Sequence, residues 1–212
     1  MAAVIHDQPR EIDRRLAQYF NSTRDQWLDV IKAIVAARGA CTDNNAKSAP
    51  GFHAWDAGVK RMREIFRREG WEKGDEDGVE TIVHNELKKK VTVLNTDCGT
   101  ADKVRSPRNR TPKGPANEKL IDLNDQMEMF KRREIAAPPK NQNAMWYLCV
   151  YDDGMTVRAE LSRPIKFTSS HFVAFSERIF LLQGDDWKKI TTAAMPPASE
   201  IDHDYKIDVR RK

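Results

Sequence analysis

The sequence predicts an α+β fold in which N-terminal helices are followed by a C-terminal antiparallel β-sheet. Three observations lead there. Apolar residues recur at helical spacing from Ile12 to Phe66. From Met145 the period changes, and MWYLCVY and MTVRAEL flank a turn, Asp152-Asp153-Gly154, that suits a hairpin. Between these stretches Pro138-Pro139 forbids a continuing helix and marks, through Asn143, a boundary. It divides a mainly helical region, residues 1–140, from an antiparallel β region, residues 145–212, packed against it.

The elements follow in order. Pro9 suits a first helical turn, where its missing N–H goes unmissed, and Ile12, Leu16, Tyr19 and Phe20 share a face. Asn21-Ser22-Thr23 interrupts, and either Ser22 with Asp25 or Thr23 with Gln26 offers a capping box. A second stripe, Trp27, Ile31, Ile34 and Val35, has Arg38 in its last turn and Gly39 to end it. Residues 41–50, CTDNNAKSAP, read as a polar loop. A third helix spans about Phe52 to Glu69, with Phe52, Trp55, Val59, Met62 and Phe66 inward. Gly70 supplies its left-handed end, and Trp71 folds back on that cap.

Residues 72–78 form an acidic turn. Val79, Ile82, Val83 and Leu87 then predict a short helix, and Val91–Leu94 a strand. Pro115 starts another helix with Leu120, Leu123, Met127 and Phe130 inward, ending near Lys131-Arg132-Arg133. In the β region Pro164 interrupts, and IKF and HFVAFSERIFLL supply further strands. The alternating run from Ile201 to Val209 fits a half-buried strand or an unpaired arm.

Composition narrows the function classes. With 36 basic against 32 acidic residues the net charge is +4, too balanced to announce a nucleic-acid binder, so any such case rests on local clustering. Three distant cysteines with no C-x-x-C argue against a zinc module or a disulfide framework and fit a reduced cytosol. The longest apolar run, Ala144–Tyr151, has eight residues, against about 20 for a membrane span. The N-terminus has no apolar stretch of signal-peptide length. The expectation is a soluble, cytoplasmic protein with no membrane contact.

The strongest cluster is a basic loop, residues 101–115. Lys103, Arg105, Arg108, Arg110 and Lys113 stand there with no acidic residue between the first and the last. Pro107, Pro112 and Pro115 favour an extended segment that cannot pack and can follow a phosphate backbone. The same composition also suits a solvated loop with no partner. No aromatic lies within it, which argues against base stacking. Arg61, Arg67 and Arg68, with Lys60 and Arg63, give the third helix a second basic surface. Solvation and complement to the helix dipole are the ordinary explanation of such arginines.

A nuclease-like D…E-x-K pattern is present in Asp77 (or Asp75), Glu86 and Lys88, where two carboxylates would hold a divalent cation and the lysine would orient water. The same acid-x-Lys spacing recurs at Asp186-Trp187-Lys188 and Asp204-Tyr205-Lys206, and the expected helix over 79–88 conflicts with the strand such a site needs. Neither His53 with Asp56 nor His84 with Glu86 supplies the ligands of a zinc site. Cys98 follows Asp97, which opposes thiolate formation. No phosphate-binding or dinucleotide fingerprint occurs, so no metal and no cofactor is expected.

The succession NTDCGT, PRNRTPKG, RAELSRPI and SERIFLL resembles a group of small proteins encoded in bacteriophages and prophages, over roughly Trp71 to Trp187. Those motifs carry no known chemistry, so the resemblance assigns no functional residue. It implies a setting: a phage accessory protein in a bacterial cytoplasm, of the kind that binds DNA or obstructs host defence. The sequence thus leads to a non-enzymatic protein that engages nucleic acid, or a host nucleoprotein, through the 103–113 loop and the helix near Arg61 to Arg68. Two alternatives stand beside it. One is an inhibitor of a host-defence complex whose acidic protein surface meets the loop. The other is a metal-dependent nuclease using Asp77, Glu86 and Lys88.

Overall fold

A single mixed sheet organises the chain. The computed structural model describes residues 3–133 and 143–194. Its strands are β1 (Val4–His6), β2 (Glu72–Glu76), β3 (Val79–His84), β4 (Lys89–Asn95), β5 (Ala144–Asp152), β6 (Val157–Thr168) and β7 (His171–Leu182). They lie in the order β1-β7-β6-β5-β4-β3-β2. Neighbours are antiparallel except β4 with β5 and β1 with β7, which run parallel. The expectation of a purely antiparallel, C-terminal sheet is therefore corrected. Four of its strands come from the first 140 residues: the parallel β4–β5 pair joins β2, β3 and β4 to the rest, and β1 pairs with β7 at the far edge.

Helices α1 (Pro9–Phe20), α2 (Arg24–Gly39) and α3 (Ala49–Phe66) cover one face, and α4 (Pro115–Arg133) crosses the other on the way from β4 to β5. A last helix, α5 (Asp186–Ala194), follows β7, so helices are not confined to the N-terminal part. The two cores show in β5 itself. Trp146, Leu148 and Val150 join α1–α3, while Met145, Tyr147 and Cys149 join α4. A strand buried on both faces reads as a continuous apolar run, as MWYLCVY does. Among the described residues no helix is long and apolar enough to cross a membrane.

The local signals largely hold. Thr23 and Gln26 make the capping box of α2, and Asn21 ends α1 at φ 47°. Gly70 turns at φ 83°, the Trp71 amide donates to the Phe66 carbonyl at 3.2 Å, and the Trp71 ring lies 6.1 Å from that of Phe66. The segment over 79–88 is corrected from helix to strand and turn. Asp77 and Gly78 (φ 52° and 82°) form a two-residue hairpin loop between β2 and β3, and β-branched Val79, Thr81, Ile82 and Val83 favour a strand. A second two-residue loop, Ser169-Ser170 at φ 50° and 63°, joins β6 to β7 without a glycine.

Pro164 does not end a strand. β6 runs through it with shifted register, and α4 supplies what proline lacks. Asn124, fully buried, donates to the carbonyls of Met145 and Pro164 at 2.8 Å each and accepts from the Met145 amide at 2.9 Å. The buried face of α4 is thus Leu120, Ile121, Asn124 and Met127, with Leu123 and Phe130 only partly covered. The Pro138-Pro139 boundary and the alternating run 201–209 lie outside the described residues.

Candidate functional site

The basic loop is folded onto the sheet, which corrects the expectation of an extended, unpackable segment. Its anchor is a buried ion pair between neighbouring strands, Glu160 of β6 and Arg178 of β7, exposed by 0% and 2%. Arg178 Nε and Nη2 donate to the two Glu160 oxygens at 2.8 and 2.6 Å. The remaining Arg178 donors reach the carbonyls of Gly99, Asp102 and Arg105 at 3.0–3.1 Å, and Glu160 accepts the Ala101 amide at 2.5 Å. Gly99 is required there, since a Cβ would lie 2.3 Å from the Ser106 carbonyl oxygen. Further along, Asn109, 2% exposed, donates to the carbonyls of Thr111 and Ser170 and accepts from the Phe172 amide.

This folding divides the five loop cations. Lys103 pairs with Asp7, and Arg105 with Asp102 at 3.0 Å. Arg110 donates to the carbonyls of Thr96 and Asp152 at 3.0 and 3.3 Å, with its guanidinium 5.6 Å from the Tyr151 ring centre. Arg108 is exposed, and its side chain has no partner among the described residues. Lys113 is half-buried without an ion-pair partner among the described residues, and burial pushes its pKa down.

Asp102 organises the tip of the loop. It accepts the Arg105 and Val104 amides at 3.0 and 2.8 Å, and with the Arg105 guanidinium these hold its carboxyl at about 2, below the usual 3.8. A depressed folded-state pKa means stabilisation that is present above about pH 4 and lost as pH falls through 2. A carboxyl-carbon NMR titration should therefore give a midpoint of about 2 for Asp102, with the Val104 and Arg105 amides losing protection in the same window. A midpoint near 3.8 would contradict these contacts.

The helix cations sit elsewhere. Arg61 is taken up by Asp29 at 2.7 Å and Glu64 at 3.2 Å. Arg67 and Arg68 are exposed beside an open groove of about 590 Å³ that also contains Asp56 and Glu64. That groove runs along α3 from Asp56, and Arg67 and Arg68 at its far end lie roughly 20 Å from the first turn at 1.5 Å per residue.

At the near end the loop and α3 enclose a cleft of about 620 Å³. Arg38, Lys47, Arg110 and Lys113 line it together with Phe52 and Trp55, and among the described residues no carboxylate lines it. Topology places it. β4 and β5 are parallel, so Asn95 and Asp152 end at one edge of the sheet. From there the chain leaves β4 for the α4 face while α3 covers the other, opening a crevice at the carboxyl ends of the strands, a place where open sheets receive ligands. Asn95 ties the walls together: its side chain accepts from Arg38 Nη2 and donates to the Gly51 carbonyl, both at 2.8 Å. Arg38 also stands 3.4 Å from the buried Asp152 carboxylate. Burial draws the Arg38 pKa down, Asp152 opposes this, and Arg110 adds to it. Phe52 is 58% exposed, because α3 starts at Ala49 and places it in the first turn rather than in the core. Its ring lies 5.9 Å from that of half-buried Trp55.

The nuclease residues are not brought together. Asp77 is in the β2–β3 turn, and Glu86 and Lys88 are in the β3–β4 turn. The six residues of β3 separate them by roughly 20 Å. Among the described residues no three His, Cys, Asp or Glu side chains converge as a metal would require. Cys149 is buried, and burial pushes its thiol pKa far up, so it is no nucleophile.

Sequence reasoning identified Arg110 and Lys113 of this cleft and missed Arg38, Lys47, Phe52 and Trp55 as their companions. The available signal was Ser48-Ala49-Pro50: proline in the first turn starts the helix early and leaves Phe52 outside the core. No known protein-family model, curated protein or solved structure matches this chain.

Proposed function

We propose that this protein binds nucleic acid, with the basic, aromatic-lined cleft as the contact surface and no reaction carried out on the ligand. One observation carries the reading: an exposed phenylalanine, Phe52, stands among four cations in a cleft with no carboxylate in its lining among the described residues. Cations neutralise phosphates and aromatic rings stack on bases, and this combination suits a single strand, whose bases are accessible. The cleft replaces the free loop of the sequence reading, since Lys103 and Arg105 are already paired. Arg108, unpartnered among the described residues, extends the positive surface, and Arg67 and Arg68 form a separate patch. A phage-infected bacterial cytoplasm as the setting rests on the resemblance of residues 71–187 to phage-encoded proteins.

Fluorescence anisotropy with a labelled 12-nucleotide thymidine strand and a 12-base-pair duplex tests this. The single strand should bind more tightly. Phe52→Ala should weaken its binding by about 5- to 150-fold, the range of one lost base–aromatic stack. Lys47→Ala should flatten the log–log salt slope by about 0.7, one single-strand phosphate contact. Both positions are exposed, so the fold should persist within about 0.5 kcal/mol. No binding of either probe at 50 mM salt, or unchanged binding by Phe52→Ala, would sink the reading. An acidic protein retained by the cleft after nuclease treatment would favour the inhibitor alternative instead.

A further inference from the structure

A smaller recess of about 100 Å³ adjoins the cleft, sharing Trp55 and Lys113 with it and reaching Asn117 in the first turn of α4 and the buried Tyr147. It has about a sixth of the cleft's volume, a space suited to a compact group such as a phosphoryl. We propose that this recess receives a terminal phosphate monoester, so that the protein prefers phosphorylated strand ends to interior phosphates. The inference rests on the nucleic-acid reading of the cleft.

Three observations support it. Lys113 lines both the cleft and the recess, and its ammonium has no ion-pair partner among the described residues. Burial without a nearby counter-charge already pushes its pKa down, a cost that a bound anion would remove. The one carboxylate residue on the recess wall among the described residues, Glu80, is neutralised by Arg63 and does not compete for the lysine. Finally, Tyr147 donates to Asn117 Oδ1 at 3.0 Å, which occupies that acceptor and leaves the Asn117 amide as a donor at the recess.

A monoester is favoured over the diester of a chain interior by charge. Near pH 7 a phosphate monoester carries about −1.5 to −2, with its second pKa near 6, whereas a diester carries one charge. The lone, partly desolvated ammonium gains more from the former. The preference should accordingly fade as pH falls below about 6.

The test compares labelled 8-nucleotide thymidine strands ending in a 5′-phosphate, a 3′-phosphate or hydroxyls at both ends, bound to the full chain. One phosphorylated strand should bind about 10-fold more tightly than the hydroxyl-ended strand at pH 7.5, and the difference should shrink at pH 5. Lys113→Met, which keeps the aliphatic packing, should abolish the difference while Arg38, Lys47 and Arg110 retain residual binding. Inorganic phosphate at millimolar concentration should compete only weakly; competition matching that of the phosphorylated strand would mark a free-phosphate site and overturn the strand-end assignment. Equal binding of all three strands overturns the inference and leaves the nucleic-acid reading intact. Failure of all three to bind overturns both. The comparison of strands on the unaltered protein decides the matter even if the variant does not fold.

Discussion

Replacing Arg178 by Met should destabilise the fold by about 3–5 kcal/mol, the range for breaking a buried pair by removing one partner. The substitution leaves Glu160 as a buried carboxylate with only the Ala101 amide and the Ser162 hydroxyl as donors. It also strips the carbonyls of Gly99, Asp102 and Arg105 of their guanidinium. Urea unfolding should show the loss as a lower midpoint, and limited proteolysis should cut within residues 99–113. The double variant Arg178→Met with Glu160→Leu should recover much of the stability, because the stranded charge is gone. It should not recover protection of the loop, whose carbonyls still lack a donor. A single variant within about 1 kcal/mol of the unaltered protein would show that the pair is not the loop's anchor. Since the loop presents Arg110 and Lys113 to the cleft, nucleic-acid affinity should fall even where the fold survives.

The second large effect lies further along the same face of the sheet, under α4. Asn124→Leu, which keeps the branched shape, should cost about 2–4 kcal/mol because it removes hydrogen bonds without opening a cavity. The reason is Pro164. The β5–β6 register that sets Tyr147 opposite Ser162 would set Met145 opposite Pro164, where proline has no N–H to offer. Asn124 fills that break, bonding the Met145 amide and carbonyl and the Pro164 carbonyl through its one side chain. Calorimetry would read the loss as a lower Tm, and hydrogen exchange at the Met145 amide should accelerate. Unchanged protection of that amide would mean water or backbone replaces Asn124 without penalty. Restoring an N–H alone, by Pro164→Ala in the Asn124→Leu background, should recover part of the loss.

These two residues also show what the sequence could disclose. Capping signals were legible because both partners lie within a few positions, as with Thr23 and Gln26 or Gly70 and Trp71. The hairpin at Asp77-Gly78 was equally local. It was overridden because Val79, Ile82, Val83 and Leu87 happen to satisfy a helical period over so short a run. The folding of the basic loop was not legible at all, since Glu160 and Arg178 stand more than forty residues beyond it. The same holds for the cleft. Arg38 read as an ordinary helix-terminal cation and Phe52 as a core residue, and only the parallel pairing of β4 with β5 brings Asn95, Arg110 and the start of α3 to one edge.

The pairing of β1 with β7 sets the order in which the molecule can be made. Val4 lies beside Glu177 and His6 beside Ile179, so β1 waits for a strand made more than 160 residues after it. His6 repeats the dependence through its side chain, with Glu177 at 2.9 Å. Contacts this distant in sequence close late, because the entropy of the intervening loop must be overcome first. On the ribosome, α1 and α2 therefore emerge with Leu16, Phe20, Trp27 and Ile31 uncovered, long before the strands that bury them exist. Docking of β1 onto β7 is expected to be a late step of folding, and the nascent helices α1 and α2 are the natural chaperone-binding segment while it is awaited.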